Sequence, residues 1–320
     1  MQPQHPQLRQ AFALSQAGRN GEAILLVNQL AARADPEALF TLAEMKWRGG
    51  MVPQDLAAAR DLYRRAGEAG NRLGAVYYTN LLASGIAGPR DWPLALSRLR
   101  SEARAQAGRR EVLKVVERMA IDEAGDPLSV PAGEPLSTSP EVTLFPRLFT
   151  ATECDFLRAV AEPAYAPSIV NDAQGRQVRD PIRTSDGAAI SWLSEDPATH
   201  ALTRRLAAIS GTGADQGEAL QVLRYRPGQQ YRPHLDFVRA ADNQRFLTAL
   251  VYLNHDYRGG ETVFPKAGVA VNGRKGDALL FRSALPDGRP DMMSEHASLP
   301  VTSGTKYLAS RWIRERRWAP

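Results

Sequence analysis

The sequence predicts an α+β protein: an all-α helical repeat domain over residues 1–124, a linker over 125–140, and over 141–320 a barrel or two-sheet jelly roll with flanking helices. Three observations carry this. The first third is self-similar at an offset of 36 positions, a Pro/Ser/Gly-rich stretch follows it, and beyond that stretch short β-type runs replace helical spacing. A chain of 320 residues is long enough for two separate cores. Its 43% hydrophobic and 23% charged residues exclude wholesale disorder and a collagen-like chain.

The helical part is rich in Ala, Leu and Arg, with apolar residues at helical spacing as from Asp55 to Ala69. A shift of 36 places Ala23 on Ala59 and Ala95, Ala38 on Gly74, Leu42 on Tyr78, Gly49 on Gly85, Pro53 on Pro89 and Asp55 on Asp91. Small residues at fixed offsets let paired helices approach closely, and the Gly-x-x-x-Pro spacing breaks the chain between them. This pattern, over about residues 8 to 105, resembles the tetratricopeptide class and its Sel-one-like branch. The resemblance implies a concave surface that holds a partner or substrate peptide, or else a structural cap.

A further helix is expected from Glu111 to Ala124, and Gly125 to Pro140 has little to bury and reads as the linker. Helices near Ala151 to Ala161 and Pro197 to Ile209 precede or interrupt the β region. Its strands are expected at Leu220 to Arg226, Phe246 to Asn254, Ala278 to Phe281 and Lys306 to Ile313, separated by Gly, Pro and Asp turns.

Cys154 is the only cysteine, so one chain can form neither an internal disulfide nor a cysteine-based zinc site. The N-terminus is polar and Pro/Gln-rich, without the basic start and apolar core of a secretory signal, and no apolar run reaches the length of a membrane span. The expectation is a cytoplasmic protein that engages no membrane. A net charge of +5 with no dense Lys/Arg block reads as a solvated basic face, and no nucleic-acid partner is expected.

A metal site must therefore use His and carboxylate. The segment Tyr225 to Asp236 (YRPGQQYRPHLD) ends in His234-x-Asp236, and two residues apart on an extended strand project from one face. Of the five histidines, His5 lies in the polar terminus, and His200 and His255 read as surface residues. His296, before the final strand, can reach back into a barrel as third ligand. Two His and one carboxylate leave open positions that suit ferrous iron, although the spacing alone fits a hydrolytic zinc equally. Lys306, ten residues beyond His296, shifts the balance. A 2-oxoglutarate chelating iron through its keto acid leaves a second carboxylate buried in the barrel, which needs a cationic partner. Leu308, Ser310 and Trp312 share the face of Lys306, and Thr248, Leu250 and Tyr252 share one face of the strand before.

From Leu220 to Trp312 the chain is similar to the catalytic core of prolyl 4-hydroxylases. The matching segments are QVLRY (221–225), GQQY (228–231), His234-Leu-Asp236, RFLT (245–248), Tyr252-Leu-Asn, GGETVFP (259–265), GDALLF (276–281), His296, and Lys306 through Trp312. Arg183-Thr-Ser185 extends the likeness, which covers about residues 140 to 318; the region from Pro163 to Asp180, where the family has a mobile substrate loop, departs most.

The resemblance implies a double-stranded β-helix, iron ligands His234, Asp236 and His296, and Lys306 with Thr262 on the distal carboxylate of 2-oxoglutarate, with Tyr225 and Tyr252 near the cosubstrate. It implies that Tyr231, Arg245, Trp312 and Arg183 meet the substrate. The implied reaction consumes O2 and 2-oxoglutarate, releases succinate and CO2, and hydroxylates a prolyl residue in a peptide or protein, with ascorbate as an accessory. Asp236 favours hydroxylation, since related halogenases lack that carboxylate. The altered 163–180 region leaves a free amino acid or other small molecule open as substrate. A repeat adaptor without turnover is the competing class, which the intact iron and cosubstrate set opposes.

Overall fold

The computed structural model describes residues 5–171, 177, 178 and 180–320. Its contacts divide the chain into two units: 1–116 with 192–200 and Pro320, and 117–191 with 201–319.

Among the described residues of the first unit up to Val116 are the helices α1 (Pro6–Gln16), α2 (Asn20–Ala32), α3 (Pro36–Arg48), α4 (Leu56–Glu68), α5 (Arg72–Ser84), α6 (Trp92–Ala105) and α7 (Ala107–Val116). Starts at Asn20, Leu56 and Trp92, and at Pro36 and Arg72, reproduce the 36-residue offset. The repeat is written in capping chemistry. Asp35, Asn71, Asp55 and Asp91 each accept the backbone N–H three residues on, satisfying a donor that the first helical turn leaves orphaned. Gly85 ends α5 in the left-handed conformation. Gly67 and Gly74 let α4 and α5 touch: a Cβ on Gly67 would meet the Ala75 Cα at 2.8 Å.

The helix expected from Glu111 to Ala124 instead runs from Ala107 to Val116. The Asp122 carboxylate accepts the N–H groups of Ala124 and Asp126, so this stretch closes a turn in place of further helix. The expected linker also needs correction, because it contains a strand, β1 (Glu134–Thr138), paired with β2 (Glu141–Phe145). β1 is almost wholly exposed and shows no apolar alternation, which is why composition hid it.

The remaining elements are α8 (Ala151–Ala161), β3 (Ala166–Pro167), β4 (Val170–Asn171), β5 (Gln177–Val178), β6 (Asp186–Ala189), α9 (Pro197–Ser210), β7 (Gln221–Tyr225), β8 (Tyr231–His234), β9 (Arg245–Tyr252), β10 (Arg258–Gly259), β11 (Thr262–Phe264), β12 (Val269–Val271), β13 (Ala278–Arg282), β14 (His296–Ser298), β15 (Val301–Ser303) and β16 (Lys306–Arg314). Residues 172–176 and 179, in the divergent 163–180 region, lie outside the described residues.

A large antiparallel sheet has the order β1-β2-β13-β9-β16-β7-β6-β3, and a smaller one β12-β11-β14-β8. Along the chain β7 is in the large sheet, β8 in the small, β9 in the large, β11 and β12 in the small, β13 in the large, β14 in the small and β16 in the large. That back-and-forth winding is a double-stranded β-helix. Leu223, Tyr225, Leu250, Tyr252, Leu279, Phe281 and Leu308 of the large sheet form one core with Phe264 and Val271 of the small. Burial of each such side chain is worth about 1.5–3 kcal/mol, and a one-residue slip would turn it outward. The same period-two constraint that builds the core therefore fixes which side chains face the space between the sheets.

Candidate active site

The ladder pairs His234 on β8 directly with His296 on β14. β8 ends at His234, so Asp236 stands beyond the strand rather than on it, and the Thr248 hydroxyl of β9 holds it by donating to Oδ2 at 2.7 Å. One ligand atom each from His234, Asp236 and His296 lies within 4.8 Å of the others. The Nε2 atoms of His234 and His296 stand 3.8 and 3.7 Å from the two Asp236 oxygens.

The backbone orients both rings. His234 Nδ1 lies 2.8 Å from the Arg232 carbonyl and His296 Nδ1 3.0 Å from that of Ser294. A carbonyl only accepts, so each Nδ1 carries a proton and Nε2 is the nitrogen each ring has left to offer a metal. Burial, reinforced by the neighbouring His296, pushes the His234 imidazole down to about 3, so it stays neutral at ordinary pH. Burial alone would raise the Asp236 carboxyl, but its histidine neighbours, Arg245 and the hydrogen bond from Thr248 together bring it down to about 2. Tyr231 stacks on the His234 ring with centroids 3.4 Å apart, and Phe281 and Phe264 flank His296.

His234, Asp236, His296 and Tyr231 line a pocket whose wall also includes Arg183, Tyr225, Thr262, Ser298, Leu308, Ser310 and Trp312. Behind it is Lys306, which is 0% exposed. Its Nζ donates to the Gly260 carbonyl at 2.6 Å and to Ser298 Oγ at 3.0 Å. No carboxylate among the described residues forms an ion pair with it, and burial drops its pKa from 10.5 to about 7. A buried amine in this state is completed by an anion. Gly259 and Gly260 both have positive φ, and a Cβ on Gly260 would stand 3.2 Å from the Lys306 Cδ. Gly260 gives Lys306 its room, and Gly259 lets the chain pass close to the Pro300 carbonyl.

The other anticipated residues are distributed as follows. Tyr225 lines the cavity under hydrogen bonds with Arg183 and Ser185. Arg183 lies over the Tyr231 ring. Tyr252 does not line the cavity; its hydroxyl donates to Thr262 Oγ1 at 2.9 Å from the far side. Arg245 is likewise outside the wall, paired to Glu218 at 2.6 and 2.8 Å and stacked 3.9 Å over Trp312, which does line it. Leu308, Ser310 and Trp312 share the inward face of β16 as the alternation requires. His200 departs from its surface reading: it is 4% exposed and bonded to Glu195 at 2.7 Å. Sequence reasoning passed over Thr248 and Ser298 as site residues; Thr248 had a signal in its place one strand period from Leu250, Ser298 only its position two residues after His296.

A family model for the 2OG-Fe(II) oxygenase superfamily matches residues 220–314. Prolyl 4-hydroxylase 1 of Arabidopsis thaliana is 35% identical over 226 residues, 64% of this chain and 80% of that protein. The chain belongs to the prolyl 4-hydroxylase family of 2OG-Fe(II) oxygenases. Probable prolyl 4-hydroxylase 7 of the same plant is 36% identical over 202 residues, 56% of this chain and 64% of the relative. Among solved structures, the viral collagen prolyl hydroxylase vCPH of Paramecium Bursaria Chlorella virus-1, as a 2OG complex, gives a TM-score of 0.44 at 26% identity over 54% of this chain and 95% of that one. A Pseudomonas putida prolyl-4-hydroxylase gives 0.42 at 22% identity, over 56% and 95%.

As a member of the prolyl 4-hydroxylase family, the protein is a 2-oxoglutarate-dependent dioxygenase that uses Fe(II) and 2-oxoglutarate. Its own donors fit both. Two imidazoles and one carboxylate match ferrous iron, and the buried Lys306 amine behind the cavity wall matches the second carboxylate of the cosubstrate. Hydrolytic zinc gives Lys306 no task.

Proposed function

We propose that this protein hydroxylates a prolyl residue in a peptide or protein. In this reading His234, Asp236 and His296 hold the iron, Lys306 and Thr262 take the distal carboxylate of 2-oxoglutarate, and Tyr225 lies beside it. The observation that carries the proposal is a metal-ready triad beside a buried lysine that has no carboxylate in ion-pair contact among the described residues, in a member of the prolyl 4-hydroxylase family.

Iron and 2-oxoglutarate supply the oxidation: one oxygen atom of O2 enters the substrate C–H bond and the other enters succinate as CO2 leaves. The chain supplies ligation, orientation and exclusion of water. Thr248 fixes the Asp236 carboxylate, the Arg232 and Ser294 carbonyls fix the imidazole tautomers, and Tyr231 holds the His234 ring by stacking. Leu223, Leu250 and Leu308 keep the cosubstrate region apolar between its two polar ends.

Tyr231, Arg183 and Trp312 border the remaining side of the cavity and are assigned to the substrate. Arg245 acts there through its cation contact with the Trp312 ring, and Tyr252 acts through Thr262. The helical repeats are read as a tetratricopeptide-like holder of polypeptide, with ascorbate as accessory reductant and the cytoplasm as compartment. No described helix is long and apolar enough to cross a membrane.

The test is aerobic incubation with Fe(II), 2-oxoglutarate and a panel of prolyl peptides and free amino acids, scored by mass spectrometry. One added oxygen on a peptide proline is expected. Activity confined to free amino acids would overturn the substrate assignment while leaving the chemistry intact.

A further inference from the structure

Ser298 follows the metal ligand His296 by two residues on β14 and is the cross-strand partner of Thr262 on β11. Both side chains line the cavity, and Ser298 is only 8% exposed. The hydrogen bonds around this pair have a direction. Lys306 Nζ donates to Ser298 Oγ, and the Tyr252 hydroxyl donates to Thr262 Oγ1. Each hydroxyl is thus already an acceptor, and no acceptor among the described residues takes either proton. Of the three N–H groups of an ammonium, Lys306 spends two, on Gly260 and Ser298. One donor therefore remains on each of Lys306, Ser298 and Thr262. A carboxylate offers acceptors only, with about four lone-pair sites on two oxygens, and takes all three.

We propose that Ser298 is a direct binding residue for the distal carboxylate of 2-oxoglutarate and makes the site selective for dicarboxylic over monocarboxylic 2-oxo acids. Ser298 has two jobs: it holds the Lys306 amine in place and donates its own proton to the ligand. The proposal rests on 2-oxoglutarate being the cosubstrate.

The test is calorimetric titration under argon of Fe(II)-loaded protein with 2-oxoglutarate and, separately, with 2-oxobutyrate, which keeps the keto acid and lacks the distal carboxylate. The loss of one hydrogen bond to a charged group predicts that Ser298→Ala weakens 2-oxoglutarate about ten-fold and leaves 2-oxobutyrate unchanged, while loss of the bond from Lys306 lowers the ligand-free melting temperature by only about 2–4 °C. Ser298→Asp, which places an anion on Lys306, is expected to abolish 2-oxoglutarate binding and keep that of 2-oxobutyrate. Wild-type 2-oxoglutarate affinity in Ser298→Ala, or an equal loss for both acids, would overturn the assignment. Failure of the wild-type protein to prefer 2-oxoglutarate would instead overturn the cosubstrate reading beneath it.

Discussion

Replacing Lys306 with Met separates two effects of opposite sign. Without an anion the amine sits wholly buried, and the fall in its pKa from 10.5 to about 7 corresponds to on the order of 5 kcal/mol opposing the charged form. Methionine removes that cost, conserves volume, and gives up the hydrogen bonds to Gly260 and Ser298, worth about 1 kcal/mol each. The ligand-free variant should therefore be as stable as the wild type or more stable by about 1–3 kcal/mol, the direction seen when buried charges give way to apolar groups. With cosubstrate the sign reverses. Loss of the one cationic partner proposed for that buried carboxylate costs about 3–5 kcal/mol, equal to a weakening of 2-oxoglutarate by roughly 10² to 10³·⁵-fold. Denaturant melts without ligand, and anaerobic titration with it, read the two effects separately. A destabilised apoprotein with undiminished 2-oxoglutarate affinity would refute the reasoning.

Three further outcomes follow from the same geometry. Because an anion favours the protonated amine, cosubstrate binding should take up a proton near and above pH 7, and affinity should fall as pH rises through that range; titration in buffers of different ionisation heat measures the uptake, and a pH-independent affinity from 7 to 9 would contradict it. Gly260→Ala, at φ +70° and 3.2 Å from the Lys306 Cδ, should cost about 1–3 kcal/mol and weaken 2-oxoglutarate, with wild-type melting and binding as the contrary result. In the first unit Glu102→Ala should cost about 3–5 kcal/mol, since the Arg109 guanidinium it pairs at 2.7 Å is buried; a change below about 1 kcal/mol in denaturant melts would deny the ion pair that role.

The parts of this molecule that were legible in the sequence are those whose signal is local. Asp55 and Asp91 announce helix starts because a cap acts within three residues, and the 36-residue offset follows from them. His234 and Asp236 stand two apart, and the period of β16 carries Lys306, Leu308, Ser310 and Trp312 onto one face. What could not be read depends on register between distant strands. Ser298 becomes a site residue only because β14 lies beside β11, and Arg245 is turned from the cavity by Glu218, 27 residues away. β1 was hidden because an exposed edge strand needs no apolar alternation. His200 looked like a surface residue because its partner Glu195 precedes the helix, where helical spacing has no reach.

The central claim is that one cavity holds Fe(II) on His234, Asp236 and His296 and 2-oxoglutarate on Lys306. It is tested most directly by succinate formation, measured with and without Fe(II), O2 and 2-oxoglutarate, in the wild-type protein and in Asp236→Ala. The account predicts succinate only when all three are present, and none from a folded Asp236→Ala. Undiminished succinate formation by Asp236→Ala, or its persistence without iron or oxygen, would contradict it.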